Sequence, residues 1–231
     1  DGGRVGTSTA ASKLSSALRA SGRSTFEVWV LPANLTQSGP ARVLSVGQDT
    51  TYTNFMLGQA KSANYQAQLL HTSKSAIGWP WLTTAAGTVA VAVQHVVHTY
   101  DGSVERLYID GVQRPETVAR AGNYSNWRTT DKFSIGNEVT LDKRFRGEVY
   151  LVAVYDGDGE LVWVRDVGVT EGPQPPRAAD SAMSNGVCQR IRPPNSRSAC
   201  SIPSRSPPRC PSRSQSTTAA AWTPAGDPPR R

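Results

Sequence analysis

Thr88-Val89-Ala90-Val91-Ala92-Val93-Gln94-His95-Val96-Val97-His98-Thr99-Tyr100-Asp101-Gly102 is the stretch on which the fold turns. Val89, Val91 and Val93 alternate with Ala90, Ala92 and Gln94, and Val96 and Val97 continue the run. Side chains two apart share one face of a strand, so this alternation predicts a half-buried strand from Thr88 to Tyr100. Asp101-Gly102 and Asp110-Gly111 then bracket Arg106-Leu107-Tyr108-Ile109, two tight-turn signals around one further strand.

Outward from this hairpin the same pattern recurs. Phe26 to Leu31 is rich in β-formers and stops at Pro32, and Arg42 to Val46, Thr53 to Leu57 and Tyr65 to Leu70 follow between polar turns. Lys132 to Ile135 and Gly147 to Tyr155 come later, and Asp156-Gly157-Asp158-Gly159 separates the latter from a hairpin strand at Leu161 to Val164. The one helical signal is Ser12 to Arg19, where Leu14 and Leu18 form a stripe and Gly22 stands ready to end it. Many short strands, regular turns and one short helix predict an all-β antiparallel sandwich or barrel.

The formal charge of +7 suggests a nucleic-acid partner until it is located. Residues 171–231 carry nine arginines against three acids, while residues 1–170 hold 16 basic and 15 acidic groups. The body is therefore nearly neutral and has no electrostatic footprint for phosphate backbones, so no nucleic-acid partner is expected. The same C-terminal segment holds 12 of the 16 prolines and all three cysteines, Cys188, Cys200 and Cys210. With so few large apolar residues it cannot offset its ordering entropy, so a disordered tail or linker is expected over 171–231 and one folded domain over 1–170. No window nears the ~18 consecutive apolar residues of a membrane span, so membrane insertion is not expected. No basic stretch and apolar run stand near Asp1, so no signal peptide is expected in this chain.

His95-Val96-Val97-His98-Thr99-Tyr100-Asp101-Gly102-Ser103, followed by Arg106 to Gly111, resembles the central signature of laminin G-like (concanavalin A-like) jelly-roll domains of bacterial type. Phe26-Glu27-Val28-Trp29-Val30 resembles the first core strand of that family, and Phe133 to Glu138 and Phe145 to Tyr155 resemble its closing strands. The resemblance spans roughly residues 12–156 and implies a jelly-roll sandwich. It also implies that Trp29 lies in the core between the sheets, with Phe26 and Val28 on the other face. For function it implies a non-catalytic module of a secreted or cell-surface protein, with carbohydrate as the leading ligand class. An adhesion or architectural module contacting an extracellular protein is the alternative, and a glycan-active hydrolase the third.

Laminarinase-type hydrolases of this architecture set two Glu and an Asp at alternate positions of one strand, with the acting carboxyls about 5 Å apart. No such run exists here, and Asp101 with Glu105, and Glu138 with Asp142, read as solvated turn carboxylates. His95 and His98 stand three apart on a strand, point to opposite faces and make no metal pair. No Gly-x-Ser-x-Gly elbow, P-loop or GxGxxG fingerprint is present. No cofactor is expected, although the resemblance brings calcium into consideration, with Asp49, Asn54, Asn137 and Glu138 as oxygen donors. The Asp156 to Glu160 run resembles the start of an EF-hand loop but places Val167 at the twelfth position. Ligand stacking has better support. Trp79-Pro80-Trp81 lies outside the strand pattern, and Trp127 stands beside Asn123, Tyr124 and Asn126. An indole combines an apolar face with an N–H donor, which suits a sugar. Trp79, Trp81, Asn123 and Trp127 are therefore the candidate ligand residues, with Thr83 a further hydrogen-bond group. The competing expectation is that these tryptophans fold back as plugs over the sandwich edge.

Overall fold

The computed structural model describes residues 4–167. The segment expected to be a disordered tail, 171–231, lies outside the described residues. Those residues form an all-β antiparallel sandwich of two sheets with one helix. Six strands make the first sheet: β1 (Val5–Gly6), β3 (Ala41–Gly47), β4 (Thr53–Ala60), β5 (Asn64–Leu69), β6 (Leu82–Thr83) and β10 (Lys132–Ile135). Its spatial order is β1-β10-β3-β4-β5-β6. The second sheet comprises β2 (Ser24–Pro32), β7 (Gln94–Tyr100), β8 (Val104–Ile109), β9 (Val112–Ala119), β11 (Gly147–Tyr155) and β12 (Leu161–Asp166). Its order is β12-β11-β2-β7-β8-β9.

The core follows from alternation within each sheet. Leu44, Val46, Phe55, Leu57, Leu69, Phe133 and Ile135 of the first sheet are buried, as are Phe26, Val28, Val30, Val96, Leu107, Val152 and Val154 of the second. Phe26 stacks on Phe55 with centroids 3.7 Å apart and 10° between ring planes, a direct bridge across the sandwich. The helix α1 (Ser12–Ser21) buries Leu14 and Leu18 and ends at Gly22, whose φ of 64° is the left-handed cap that glycine adopts without strain.

Three expectations are corrected. Trp29 does not lie between the sheets: Phe26, Val28 and Val30 do, and Trp29 is half-buried on the opposite face, stacked on His95 at 4.6 Å. A period of two says which residues share a face but not which face turns inward. The strand expected from Thr88 begins only at Gln94. Before it the Gln94 side chain engages the backbone, accepting from the Ala90 N–H at 2.9 Å and donating to the Thr88 carbonyl at 3.2 Å, which replaces strand pairing there. Val89 is buried but Val91 is exposed, so the alternation does not mark one sheet face. Finally, β9 escaped the sequence reading because Pro115 and charged residues interrupt it. It pairs only with β8, at the sheet edge, where proline is tolerated.

Candidate functional site

Beyond Leu69 the chain leaves the first sheet and returns to it at Leu82, and the intervening loop carries the Trp79-Pro80-Trp81 motif. Its turn is built locally. Ser75 accepts twice, the Gly78 N–H donating to its carbonyl at 2.8 Å and the Trp79 N–H to its hydroxyl at 3.1 Å. Gly78 has φ of 67°, and a Cβ there would stand 2.9 Å from the Leu69 carbonyl oxygen. Only glycine lets the loop lie this close to β5. Trp79 is 60% exposed and meets Trp81 edge-on, with centroids 5.8 Å apart and 75° between planes. The Trp81 indole N–H donates to the Ile77 carbonyl at 3.0 Å, fixing that ring, while Ile77 is itself exposed.

Polar groups stand beside these rings. Gln66 pairs with Thr83 across β5 and β6, and its amide donates to the Thr83 hydroxyl at 3.1 Å. Continuing that antiparallel register by two residues sets Trp81 opposite Gln68, whose Cγ lies against Gly78. The sheet edge thus offers an exposed indole, a fixed second indole, and the half-buried Gln66 amide and Thr83 hydroxyl, while Gln68 is buried beneath the loop. Thr83 is expected from the sequence, whereas Gln66 is not. Its signal lies in Gln66-Ala67-Gln68, where alternation turns Gln66 and Gln68 away from the core, the latter to be covered by the loop.

Of the other two expected residues, Trp127 does not join this surface. Trp127 is 2% exposed, stacks on Tyr124 at 4.6 Å and donates its indole N–H to the Leu70 carbonyl at 2.6 Å. It is a plug, with no free face or donor for a ligand. Asn123 is exposed, but its backbone exchanges hydrogen bonds with Thr72 and its side chain accepts from the Ser125 N–H. Each of the four oxygen donors considered for calcium is engaged by other groups. Asp49 caps the Thr51 and Tyr52 N–H groups, Asn54 engages Arg128, Asn137 accepts from the Glu138 and Lys143 N–H groups, and Glu138 pairs with Arg42. Among the described residues no group of three or more His, Cys, Asp or Glu is placed to hold a metal ion.

Residues 5–158 match the family model of the concanavalin A-like lectin/glucanases superfamily. The chain belongs to that superfamily. No curated protein sequence matches it. Among solved structures it is similar to the CBM40 domain of the Ruminococcus gnavus IT-sialidase bound to α2,3-sialyllactose, at 18% identity and a TM-score of 0.45 over 62% of this chain and 80% of that one. A putative carbohydrate-binding protein from Bacteroides ovatus is similar at 12% identity and a TM-score of 0.46, over 66% of this chain and 48% of that one. Domain 4 of the extracellular arabinanase AbnA from Geobacillus stearothermophilus, in complex with arabinotriose, is similar at 16% identity and a TM-score of 0.37, covering 59% and 61% respectively.

The superfamily holds glucanases as well as lectins, so the carboxylates of this member matter. Two expected to be solvated turn groups are buried. Glu138 is a buried residue of the loop after β10, its Oε2 2.7 Å from the Arg42 Nε, and burial raises its pKa although Arg42 opposes the shift. Glu105 begins the inward-facing series Glu105, Leu107, Ile109 of β8, because the turn ends one residue earlier at Val104. Asp101 carries the turn chemistry instead, accepting from the Ser103 and Val104 N–H groups. Glu27, on the outer face of the second sheet, accepts from His95 at 2.9 Å and from the Tyr155 hydroxyl at 2.9 Å. Burial pushes the Glu27 carboxyl up, but the hydrogen bond and charge of His95, with Tyr155, outweigh it and leave it lowered.

Glu105 is the centre of a buried network behind the tryptophan loop. Its Oε1 contacts the Lys74 ammonium and stands 3.8 Å from the His71 Nε2, and its Oε2 stands 3.3 Å from the His98 Nε2. His71 Nδ1 accepts from the Ser73 N–H at 3.4 Å, which turns Nε2 towards Glu105. Burial works against the charged carboxylate, but the nearby imidazoles of His71 and His98 and the charge of Lys74 overcome it and hold the Glu105 pKa at about 2. Burial pulls the Lys74 pKa down, and Glu105 only partly restores it. As expected, His95 and His98 point to opposite faces, one to Glu27 outside and the other to Glu105 within.

Proposed function

We propose that this domain is a non-catalytic carbohydrate-binding module of a secreted or cell-surface protein, and that its ligand surface is the Trp79–Trp81 loop with Gln66 and Thr83. The observation that carries the reading is Trp79, a large ring left mostly in water beside a second ring locked edge-on and a row of neutral hydrogen-bonding side chains. A pyranose presents an apolar patch of C–H groups and a rim of hydroxyls, and such a surface matches both. The buried and half-buried carboxylates Glu27, Glu105 and Glu138 are each engaged by a cation or hydrogen-bond donor, which supports binding without hydrolysis. The polar groups beside the rings are neutral, which favours neutral glycans and binding with little salt dependence.

Covering about 100 Å² of the Trp79 ring at ~25 cal/mol per Å² contributes at most about 2.5 kcal/mol. One domain therefore binds weakly, and repetition on the parent protein would supply avidity. The test is glycan-array binding followed by calorimetry on the full chain, wild type against Trp79→Ala and Trp81→Ala. Trp79→Ala is expected to weaken binding roughly 10- to 50-fold. Equal binding by all three proteins removes this loop as the site. No binding across neutral and acidic glycans turns the same exposed rings into an adhesion surface for protein.

A further inference from the structure

We propose that the buried Lys74–Glu105 ion pair is the internal anchor of the tryptophan loop, which makes Lys74 a positioning residue for the ligand surface; this rests on the reading of that surface given above. Between Thr72 and Trp79 only Lys74 and Gly78 are buried, and Gly78 has no side chain. Lys74 is thus the one side chain of that stretch that reaches the interior. The other restraints are of a different kind. Ser75 to Gly78 and Trp79, and Trp81 to Ile77, are bonds within the turn and shape it without attaching it to the sandwich. The Thr72 bonds to Asn123 and the Ser73 bond to the Ala121 carbonyl fix only the start of the loop.

The partner of Lys74 is itself immobile. Glu105 projects from β8 and is gripped by His98 from β7, two adjacent strands inside the second sheet, and His71 stacks on Tyr100 at 4.9 Å beside it. The loop leaves the first sheet, so the ion pair ties a segment from one sheet to a charge held in the other. An apolar side chain at position 74 would be buried with less desolvation, but it would slide against its neighbours. A buried ammonium has one place where its charge is compensated, and leaving it is strongly unfavourable. That directional demand sets the depth at which the turn sits, and with it where Trp79 and Trp81 face.

The experiment uses the full chain with both charges removed, Lys74→Ala/Glu105→Gln, since Lys74→Ala alone strands a carboxylate in the interior. Amide exchange is measured at Lys74, Gly78 and Trp79 and in β7 and β8. Exchange in the loop is expected to accelerate about tenfold or more while the strands keep their protection. Affinity for whichever glycan the wild type binds best is expected to fall about tenfold. Loop exchange unchanged from wild type overturns the anchor. A freed loop with wild-type affinity overturns the positioning role. If the wild type binds no glycan, the carbohydrate reading fails on its own, and the exchange rates alone still decide whether Lys74 anchors the loop.

Discussion

Replacing Glu105 with glutamine keeps the shape of the side chain and removes its charge, so the buried network can be weighed by pH. The folded carboxyl titrates at about 2 against an ordinary value of 4.5. At about 1.36 kcal/mol per pKa unit, that difference stabilises the fold at neutral pH by roughly 3 kcal/mol. The folded pKa is depressed, so this stability is fully present above the unfolded value and is lost as pH falls from about 4.5 towards 2. Between pH 5 and pH 3 the wild type should lose roughly 2 kcal/mol through this one group. Glu105→Gln also leaves the Lys74 ammonium without its counter-charge, a change of the kind that costs about 3–5 kcal/mol. Urea unfolding of the full chain at pH 7, 5 and 3 measures both effects. The expected outcome is a variant far less stable at pH 7, with the pH 5 to 3 loss smaller than the wild type's by roughly 2 kcal/mol. Equal midpoints at pH 7, or equally steep acid losses, would falsify the ion network as described.

Phe26→Ala, which opens the stacked contact with Phe55, should cost about 3–5 kcal/mol by urea unfolding, whereas Trp29→Ala, on the outer face, should cost about 1–2 kcal/mol. Reversed magnitudes would mean that β2 faces the other way. Gly78→Ala should leave the sandwich folded yet weaken glycan binding, because φ of 67° and the nearby Leu69 carbonyl push the loop away from β5; calorimetry beside thermal unfolding separates the two effects. Excess calcium should leave the melting temperature unchanged, since Glu138 is held by Arg42 and Asn137 by backbone N–H groups; a clear upward shift would revive a metal role.

How much was legible beforehand depended on whether the information was local. The Asp-Gly turns, the helix over Ser12 to Arg19 with its glycine stop, and most strand centres are consequences of short-range stereochemistry, so they stand in the sequence almost directly. The family resemblance, carried by the hairpin around Asp101-Gly102, gave the two-sheet sandwich as well. Thr88 to Val93 shows the limit of local signals. Its alternation is as good as that of any strand, but the Gln94 side chain captures the backbone, and a bond from the Val89 N–H to the Ala63 carbonyl does not extend into a ladder.

The sequence by itself therefore determined the class of fold, the near-neutral body, the opposition of His95 and His98 across one strand, and the placing of Trp79 and Trp81 in a loop. Tertiary structure decided which side of each strand became interior, because the two faces of a period-two pattern differ only in what packs against them. It sent Trp127 inward through a bond to a carbonyl 57 residues away and left Trp79 in water. It also gathered Lys74, His71, His98 and Glu105 from a loop and two strands, turning a carboxylate that looked like turn chemistry into the centre of a buried charge network. Charges so far apart along a chain carry no signature of their meeting, since only chain closure brings them within reach of one another and out of water.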